Sequence, residues 1–439
     1  MKKLTKALAA GAVISMALAG CSSGDSGPSK SGDVDLSAVK YTGTISVLTR
    51  YAGDYEAYFK QMKEKYEALH PNVKIDLQQE SDQGYKDKIK TLTASQNLPD
   101  VYFTWAGDYA AQFYENGLAL DLTGVIAPGT KWGDTMATSA LATYNGKGTY
   151  YGIPFALDAK FMVYNKALFA NAGVAVPTDF ASLINSCATL KGAGITPMAF
   201  GNIDGWPAIH FITQLNSYDV PAATMVADFD PKTATWDNPG YVAALNQFGE
   251  ILHQCTTTGT EANGSDYYSQ RDAYSRGEAA MFYVENLEFG ATVPKGSKAE
   301  ADGYGIFRLP VPAGAAGDTK ALTGAPDAFL INSKSKNPAL AVDFMKFVTN
   351  QENAALLTSM TGIPSPVVGS LTADNSSEQL RTSIKELQAA NSMSIWLDTV
   401  TVPEVADAFL SGVQGFISGD KTADQVMAGV QSASAAAKK

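Results

Sequence analysis

The stretch at residues 151–169, which reads YGIPFALDAKFMVYNKALF, most constrains how this chain can fold. A Gly and a Pro lead into a run of aromatic and β-branched residues that predicts a strand, and helix-forming residues follow it. Asp158 and Lys160 interrupt the run, although a fully buried strand carries such charges only where the backbone passes between two packed bodies. We therefore predict that residues 156–160 cross between two lobes, since hinges usually lie at element ends. An edge strand with solvated charges is the alternative.

Length and charge limit the class of the protein. A chain of 439 residues exceeds what one core usually supports, and its 45% hydrophobic residues can fill more than one domain. The formal net charge of −11 argues against nucleic acid or an anionic membrane surface as the main partner, because both select basic patches.

The N-terminus has the layout of a secretory signal. Residues 1–20 contain three lysines followed by an apolar run that is too short to span a bilayer. The tetrapeptide LAGC, which ends at Cys21, resembles the lipobox of bacterial lipoproteins, where the cysteine is lipidated and becomes the mature N-terminus. We therefore predict export to the outer face of the cell membrane, attachment through lipid at Cys21 alone, and a flexible polar linker over residues 21–40.

Two further cysteines, Cys187 and Cys255, remain after Cys21 is assigned to lipid. They form an even pair in an oxidising compartment, and both are expected in the same lobe, so a disulfide between them is one reading. Two separate buried thiols are the other reading.

The first part of the chain alternates strands with helices. Strands are predicted at residues 44–49, 73–77 and 98–105, and amphipathic helices at residues 55–70 and 85–95. This order predicts a parallel α/β sheet whose ligand-binding loops lie at the carboxyl ends of the strands.

No catalytic or metal-binding motif accompanies this pattern. His70, His210 and His253 are scattered without metal-ligand spacing, and HExxH, Walker A, GxSxG and GxGxxG motifs are not found. We therefore predict neither a cofactor nor a metal ion. A glycoside hydrolase needs only two suitably separated carboxylates, so a secreted carbohydrate-active enzyme stays open as an alternative.

The predicted crossing resembles a known family. Residues 151–180 contain YGIP, then YNK, LF, AG and a later Pro, in an order similar to the inter-lobe crossover of the family 1 extracellular solute-binding proteins. These are the maltose-binding-protein-like receptors of ABC importers. The resemblance continues through residues 275–283 and 323–347 and covers nearly all of residues 44–430.

The resemblance implies an α/β protein with the two-lobed periplasmic-binding-protein fold of type II. It implies three hinge crossings, near Asp158, Asp327 and Pro364, and a ligand cleft between lobes that can close. The expected division is residues 41–156 plus 323–364 for lobe 1 and residues 157–322 plus 365–439 for lobe 2.

The resemblance also implies a monomeric receptor, not an enzyme, that captures a carbohydrate and delivers it to ABC transporter permease subunits. A sugar site pairs aromatic platforms with carboxylates and amides that hold hydroxyls in fixed directions. The chain has 5 Trp, 20 Tyr and 19 Phe but few arginines, which favours a neutral polyol such as a short oligosaccharide over a ligand held by arginine forks. A receptor for another small polar solute is the alternative.

Candidate ligand contacts lie in loops after predicted strands, in the hinge stretches, and in aromatic loops of the second lobe. The expected set is Arg50, Tyr51, Glu80, Trp105, Asp108, Asp158, Trp206, Tyr283, Glu285, Asn286, Asp327, Trp396 and Asp398. The sequence departs from the family pattern at Leu287, where relatives commonly carry a Trp that stacks on sugar. Polar contacts from Glu285 and Asn286 are expected to replace that stacking.

Overall fold

The computed structural model describes residues 38–256 and 260–438. The predicted signal, Cys21 and most of the predicted linker therefore lie outside the described residues. Within the described ranges, no helix combines the length and the apolar character needed to cross a membrane.

The strands fall into two main sheets and two short pairs. In chain order they are β1 (Gly43–Thr49), β2 (Val73–Gln79), β3 (Val101–Thr104), β4 (Asn145–Gly146), β5 (Thr149–Tyr150), β6 (Ile153–Ala156), β7 (Lys160–Asn165), β8 (Thr196–Met198), β9 (Ala279–Glu285), β10 (Tyr304–Phe307), β11 (Leu322–Thr323), β12 (Asp327–Ile331) and β13 (Met393–Ser394).

Helices cover the sheets, and short 3-10 turns lie at Gly53–Tyr55, Gly133–Thr135 and Asn286–Glu288. The α-helices are α1 (Glu56–Leu69), α2 (Asp82–Ala94), α3 (Asp108–Glu115), α4 (Thr123–Ile126), α5 (Thr138–Thr143), α6 (Lys166–Ala172), α7 (Phe180–Gly192), α8 (Trp206–Asp219), α9 (Ala222–Phe229), α10 (Pro239–Cys255), α11 (Thr260–Asn263), α12 (Tyr267–Ser275), α13 (Phe289–Thr292), α14 (Lys298–Asp302), α15 (Pro338–Val348), α16 (Gln351–Thr361), α17 (Glu378–Ala389), α18 (Leu397–Val400), α19 (Pro403–Ile417) and α20 (Ala423–Ala437).

Lobe 1 is built on a five-stranded sheet in the order β2-β1-β3-β12-β6. β1 pairs in parallel with β2 and β3, as the alternation of strands and helices predicts, whereas β12 runs antiparallel to β3 and β6. The predicted third strand is shorter than expected because Asp100, just before β3, turns its carboxylate to accept hydrogen bonds from the backbone and hydroxyl of Ser46, each 2.8 Å long. The predicted second helix begins earlier, at Asp82, because Ser81 caps it.

Lobe 2 is built on a four-stranded sheet in the order β10-β7-β9-β8. β7 is antiparallel to both β10 and β9, and β8 is parallel to β9. Helix α8 is buried along its whole length, although six of its fourteen residues are polar. A disulfide joins Cys187 in α7 to Cys255 in α10 with 5.0 Å between the two Cα atoms. Of the two interpretations that the sequence left open, the structure therefore shows the disulfide and not two separate thiols.

Three segments connect the lobes. Residues 157–159 lie between β6 in the first sheet and β7 in the second, inside the predicted crossing at 156–160. Residues 324–326 lie between β11, which pairs with β13, and β12 in the first sheet. The backbone N–H of Leu157 donates to the carbonyl of Pro364 over 2.8 Å, so the third crossing runs beside the first.

Two predicted lobe boundaries need correction. Thr323 belongs with lobe 2, because its N–H donates to the side chain of Gln214 in α8, and lobe 1 resumes only after it. Residues 365–368 do not belong to lobe 2, because Val367 forms a β-bridge with Met136 of lobe 1. The chain rejoins lobe 2 with α17, where the side chain of Gln379 donates to the carbonyl of Tyr304 in β10.

Candidate functional site

A small cavity lies between the two lobes and receives side chains from both. Its volume is about 40 Å³, and strand ends, helix starts and the first crossing supply its walls. The lining residues are Arg50, Asp82, Lys86, Trp105, Asp158, Trp206, His210, Glu285, Glu288, Trp396, Asp398 and Thr399. We call this the inner cavity.

Arg50 organises the lobe 1 wall. It is the first residue after β1, and its guanidinium donates to Asp82 at the start of α2 over 2.9 Å and to Asp327 at the start of β12 over 2.7 Å. Its Cζ lies 4.8 Å from the ring centre of Tyr51 and 5.9 Å from that of Trp105, which is favourable cation–π geometry. Burial alone would lower the pKa of Arg50, but the two carboxylates raise it well above its usual range, so the group stays charged.

Lys160 and Glu285 organise the lobe 2 wall. They face each other across β7 and β9, and their Nζ and Oε1 atoms are 2.8 Å apart. His210 of α8 approaches the same carboxylate, with Nδ1 3.2 Å from Oε1. Burial opposes ionisation of Glu285, but Lys160 and His210 outweigh it and hold the pKa of Glu285 below its usual range. Burial and then Lys160 lower the pKa of His210, so its imidazole is neutral at pH 7.

Three tryptophans present aromatic surface to the inner cavity. Trp105 comes from the loop after β3 in lobe 1, while Trp206 and Trp396 come from the starts of α8 and α18 in lobe 2. The ring of Trp396 stacks on that of His210 with centres 4.1 Å apart, which fixes its orientation. Aromatic faces therefore approach the cavity from both lobes, as a site for ring-shaped ligands requires.

Buried carboxylates in the inner cavity keep free hydrogen-bonding capacity. Oδ1 of Asp158 and Oδ1 of Asp398 accept no hydrogen bond from any described residue. The nearest ammonium to Asp398 is that of Lys86, whose Nζ lies 3.6 Å from the other oxygen. Burial, Glu285 and Asp327 together raise the pKa of Asp158 well above its usual range.

Glu288 follows β9 and lies one turn after Glu285. Its carboxylate accepts a 2.8 Å hydrogen bond from the hydroxyl of Tyr267. Burial, and then the negative charge of Glu285, raise the pKa of Glu288 to about 7. The site thus holds one carboxylate that is ionised at pH 7 and a neighbour that is only partly ionised.

The lobes contact each other across the cleft. Arg271 of lobe 2 pairs with Asp54 of lobe 1 over 3.0 Å, and the hydroxyl of Tyr268 donates to Asp82 over 2.9 Å. Gly107 packs so closely against lobe 2 that a Cβ atom there would lie 2.8 Å from the Cα of Val400. A cavity of about 40 Å³ has room for only one or two waters, far below the roughly 300–1,000 Å³ of ligand pockets, so a larger ligand must separate the lobes to enter.

A wider space adjoins the inner cavity. It has a volume of about 600 Å³ and lies between α2 and α3 of lobe 1 and α19 of lobe 2. Four residues, Lys86, Trp206, Asp398 and Thr399, line both spaces. We call it the outer chamber, and the shared residues make it continuous with the inner cavity.

The structure brings together more than half of the side chains that the sequence singled out. Those that line the inner cavity are Arg50, Trp105, Asp158, Trp206, Glu285, Trp396 and Asp398. Tyr51 and Asp327 do not line it, but both are fully buried directly behind Arg50, where the hydroxyl of Tyr51 donates to Asp327 over 2.7 Å. These two residues hold the guanidinium in place.

Four other expected contacts, Glu80, Asp108, Tyr283 and Asn286, do not line the inner cavity. Glu80 lies after β2 but pairs with Lys88 over 2.7 Å, and Asp108 accepts from Gln112 on its own helix over 2.9 Å. Tyr283 lies on the same face of β9 as Glu285 but two residues further from the end of the strand, and its ring packs 4.3 Å from that of Phe211 in the lobe 2 core. Asn286 is fully buried and braces the first crossing, where its Oδ1 accepts from the backbone N–H of Ala159 over 3.0 Å.

Five lining residues were missed: Asp82, Lys86, His210, Glu288 and Thr399. Helical spacing could have indicated one of them, since His210 follows Trp206 by four residues and shares its helix face. The described residues contain no group of three or more side chains arranged to hold a metal ion.

Two α/β lobes, three crossings and a polar, aromatic-lined site between the lobes define a two-lobed solute-binding protein of type II. The chain belongs to the family described as Bacterial extracellular solute-binding protein, which it matches over residues 52–355. The predicted family and the predicted fold class are therefore confirmed.

Individual relatives agree with this assignment. The diacetylchitobiose binding protein of Streptomyces coelicolor is 24% identical over 82% of this chain and 81% of its own. The maltooligosaccharide ABC transporter solute-binding lipoprotein of Streptococcus pneumoniae is 25% identical over 77% of each chain. The solved structure of a chitin oligosaccharide binding protein superposes with a TM-score of 0.82 at 20% identity, covering 91% of this chain and 100% of the other. That structure supports the fold alone.

Proposed function

We propose that this protein is an exported, monomeric receptor that captures a short oligosaccharide and delivers it to the permease subunits of an ABC transporter, with no covalent chemistry and no cofactor. One observation carries the proposal. Trp105 of lobe 1 and Trp206 and Trp396 of lobe 2 converge on one cavity whose other walls are buried carboxylates and cations.

This combination suits a saccharide for a physical reason. A pyranose ring has apolar C–H faces that pack on indole rings, and its hydroxyls at the ring edge donate to carboxylates and accept from Arg50 or Lys86. Oδ1 of Asp158 and Oδ1 of Asp398 both need donors, and sugar hydroxyls can supply them.

The outer chamber supports a ligand longer than one sugar. With about 600 Å³ it lies within the usual range of ligand pockets, and Trp206 and Asp398 connect it with the inner cavity. Once the lobes separate enough to admit a terminal unit at the inner cavity, the rest of the chain would continue into the outer chamber. The names of the two sequence relatives refer to saccharides as well, which supports the same ligand class for this chain.

A thermal-shift screen over mono- to tetrasaccharides tests the proposal. A saccharide at a hundredfold excess over its Kd should stabilise the protein by about 2.7 kcal/mol. Asp108→Asn, which alters a carboxylate outside both cavities, should leave the shift unchanged, whereas Asp158→Asn, which removes the charge of a cavity carboxylate, should reduce it. If no saccharide shifts the melting temperature, the carbohydrate assignment fails.

The alternative of a carbohydrate-active enzyme has its own readout. Glu285 and Glu288 have pKa values displaced in opposite directions, an arrangement that hydrolases also use. A receptor leaves its saccharide intact, so prolonged incubation should release no reducing ends. Release that Glu288→Gln abolishes would support the enzyme instead.

The attachment at Cys21 belongs to the same proposal, and the lipobox-like LAGC sequence supports it. Cys21→Ser should yield a protein that is no longer recovered with membranes or labelled by a fatty-acid analogue. A Cys21→Ser protein that is still labelled and membrane-bound would rule out lipidation at this residue.

A further inference from the structure

The charged side chains around the inner cavity do not balance. Six carboxylates face three cations there, which gives a formal charge of −3 when every carboxylate is counted as ionised and His210 as neutral. The carboxylates are those of Asp82, Asp158, Glu285, Glu288, Asp327 and Asp398, and the cations are Arg50, Lys86 and Lys160. At the rim, Arg271 and Asp54 pair with each other and leave this balance unchanged.

Each cation is already committed to a carboxylate. Arg50 pairs with Asp82 and Asp327, as described above, and the ammonium of Lys160 lies 2.8 Å from Glu285. Lys86 is nearest to Asp398, at 3.6 Å. Among the described residues, no cationic side chain comes within 4.0 Å of Asp158 or Glu288.

The excess negative charge comes with open acceptor atoms. Asp158 and Asp398 are more than nine-tenths buried, both line the cavity, and Oδ1 of each accepts no hydrogen bond within the described part of the chain. A buried ionised carboxylate without a partner is unfavourable unless a cation or a proton reaches it. The raised pKa values of Asp158 and Glu288 express the same imbalance.

The aromatic surroundings suit a cation as well as a sugar face. The faces of tryptophan rings attract ammonium groups, and this attraction strengthens when the group is desolvated. Within this protein the ammonium of Lys160 already lies 5.3 Å from the ring centre of Trp206 and 5.2 Å from that of Tyr267.

We propose that the saccharide recognised by this protein carries a protonated amine, and that Asp158 and Asp398 hold the ammonium group in the inner cavity. The inference rests on the proposed carbohydrate receptor and names its ligand class. Hydroxyls of a neutral sugar could donate to the two free oxygens but would leave the excess of carboxylates over cations uncompensated, and an acidic sugar would add to it. A protonated amine supplies both the donors and the opposite charge.

Matched probes separate the classes. Isothermal calorimetry at about pH 6, where an amine of this kind is protonated, would compare β-1,4-linked glucosamine dimers and trimers with N-acetylglucosamine and glucose oligomers of the same length and linkage. The amine probes should bind at least about ten-fold more tightly than either neutral series.

Two variants connect that difference to the residues. Asp158→Asn keeps the shape of the side chain and removes its charge. It should lower the affinity for amine probes by about ten-fold or more while changing the affinity for neutral probes by less than about three-fold. Asp108→Asn, which removes a carboxylate that lines neither cavity, should leave both series unchanged.

The outcomes distinguish this inference from the function on which it rests. If neutral saccharides bind as tightly as amine probes or more tightly, or if Asp158→Asn weakens both series equally, the amine inference is wrong and the carbohydrate receptor stands. If no saccharide of any series binds, including those of the wider screen, both are wrong.

Discussion

The buried pair of Lys160 and Glu285 offers the sharpest test of how the cleft is held together. Lys160 is the first residue of β7 and Glu285 the last of β9, and their side chains are 1% and 9% exposed. Lys160→Met keeps most of the length and volume of the side chain but removes its charge. Glu285 is then left in a buried position with only the neutral imidazole of His210 beside it.

The expected cost follows from the burial of both groups. At 2.8 Å and an effective dielectric constant of about 20, the attraction is roughly 6 kcal/mol, of which desolvation cancels a part. Removing one partner of such a pair typically costs about 3–5 kcal/mol, because the other charge stays buried without compensation. We expect Lys160→Met to lower the free energy of unfolding at pH 7 by about that amount.

The pH dependence gives a second signature. The folded-state pKa of Glu285 lies below its usual value, so the stability that the pair contributes is present above the usual carboxylate range and is lost as pH falls through the folded pKa. The deficit of Lys160→Met should therefore be largest near neutral pH and should shrink in acid.

Urea unfolding followed by tryptophan fluorescence would measure these differences, and the Lys160→Met, Glu285→Gln double variant closes a mutant cycle. The double variant should be more stable than the sum of the single losses predicts, because it leaves no unpaired charge. Additive losses, or a Lys160→Met protein within about 1 kcal/mol of wild type, would refute the reasoning.

Further predictions address the other parts of the molecule. Replacing both Cys187 and Cys255 by Ala should lower the free energy of unfolding by about 4 kcal/mol, since the disulfide closes a separation of 68 residues, and wild-type protein in reductant should show the same loss in a urea melt. The pKa of Glu288 is raised to about 7, so the wild-type protein loses stability as pH rises from 4.5, the ordinary glutamate pKa, to 7. The free energy of unfolding of Glu288→Gln should therefore equal that of wild type below pH 4.5 and exceed it progressively up to pH 7. A constant difference in unfolding free energy across this range would contradict the prediction. Trp396→Phe should lower the affinity for the saccharide found in the screen by about ten-fold in calorimetry, because a smaller ring covers less of the sugar. An unchanged affinity would remove Trp396 from the site. Small-angle scattering should show a smaller radius of gyration with that saccharide than without it, and an equal radius at saturation would argue against closure.

The crossing was predictable because its chemistry is local. Two charges inside an otherwise apolar run predicted a crossing, and residues 157–159 do lie between the two sheets, although both charges are buried there and Lys160 pairs with Glu285. The end of the third crossing was not predictable, because it depends on the bridge between Val367 and Met136, whose positions are far apart in the sequence. Pairing over such distances leaves no local pattern.

Site residues could be predicted where they lie at the end of a strand. They could not be predicted where a side chain has several possible ion-pair partners and its position depends on which of them it contacts. Arg50 and Trp105 follow parallel strands whose ends must meet at one edge, and both line the cavity. Glu80 follows a strand equally directly, yet it pairs with Lys88 and does not line the inner cavity. The sequence shows which carboxylates lie near the cleft, whereas the competition among nearby cations decides which of them face it.

The contacts that hold the lobes together are weak enough for a ligand to control them. Asp54 is 55% exposed, so its ion pair with Arg271 contributes only about 0–1 kcal/mol, and the hydrogen bond from Tyr268 to Asp82 adds about 1 kcal/mol. Lys86 of lobe 1 and Asp398 of lobe 2 also approach each other across the cleft, but at 3.6 Å they are too far apart for a direct hydrogen bond. Moving a two-state equilibrium from 1:99 to 99:1 requires about 5.5 kcal/mol of differential affinity. A ligand that contacts Trp105 on one lobe and Asp158 and Trp396 at the other can supply that difference, because those contacts form together only when the lobes meet. Closure and recognition would then be a single event, and variants that weaken the contact with either lobe should reduce both.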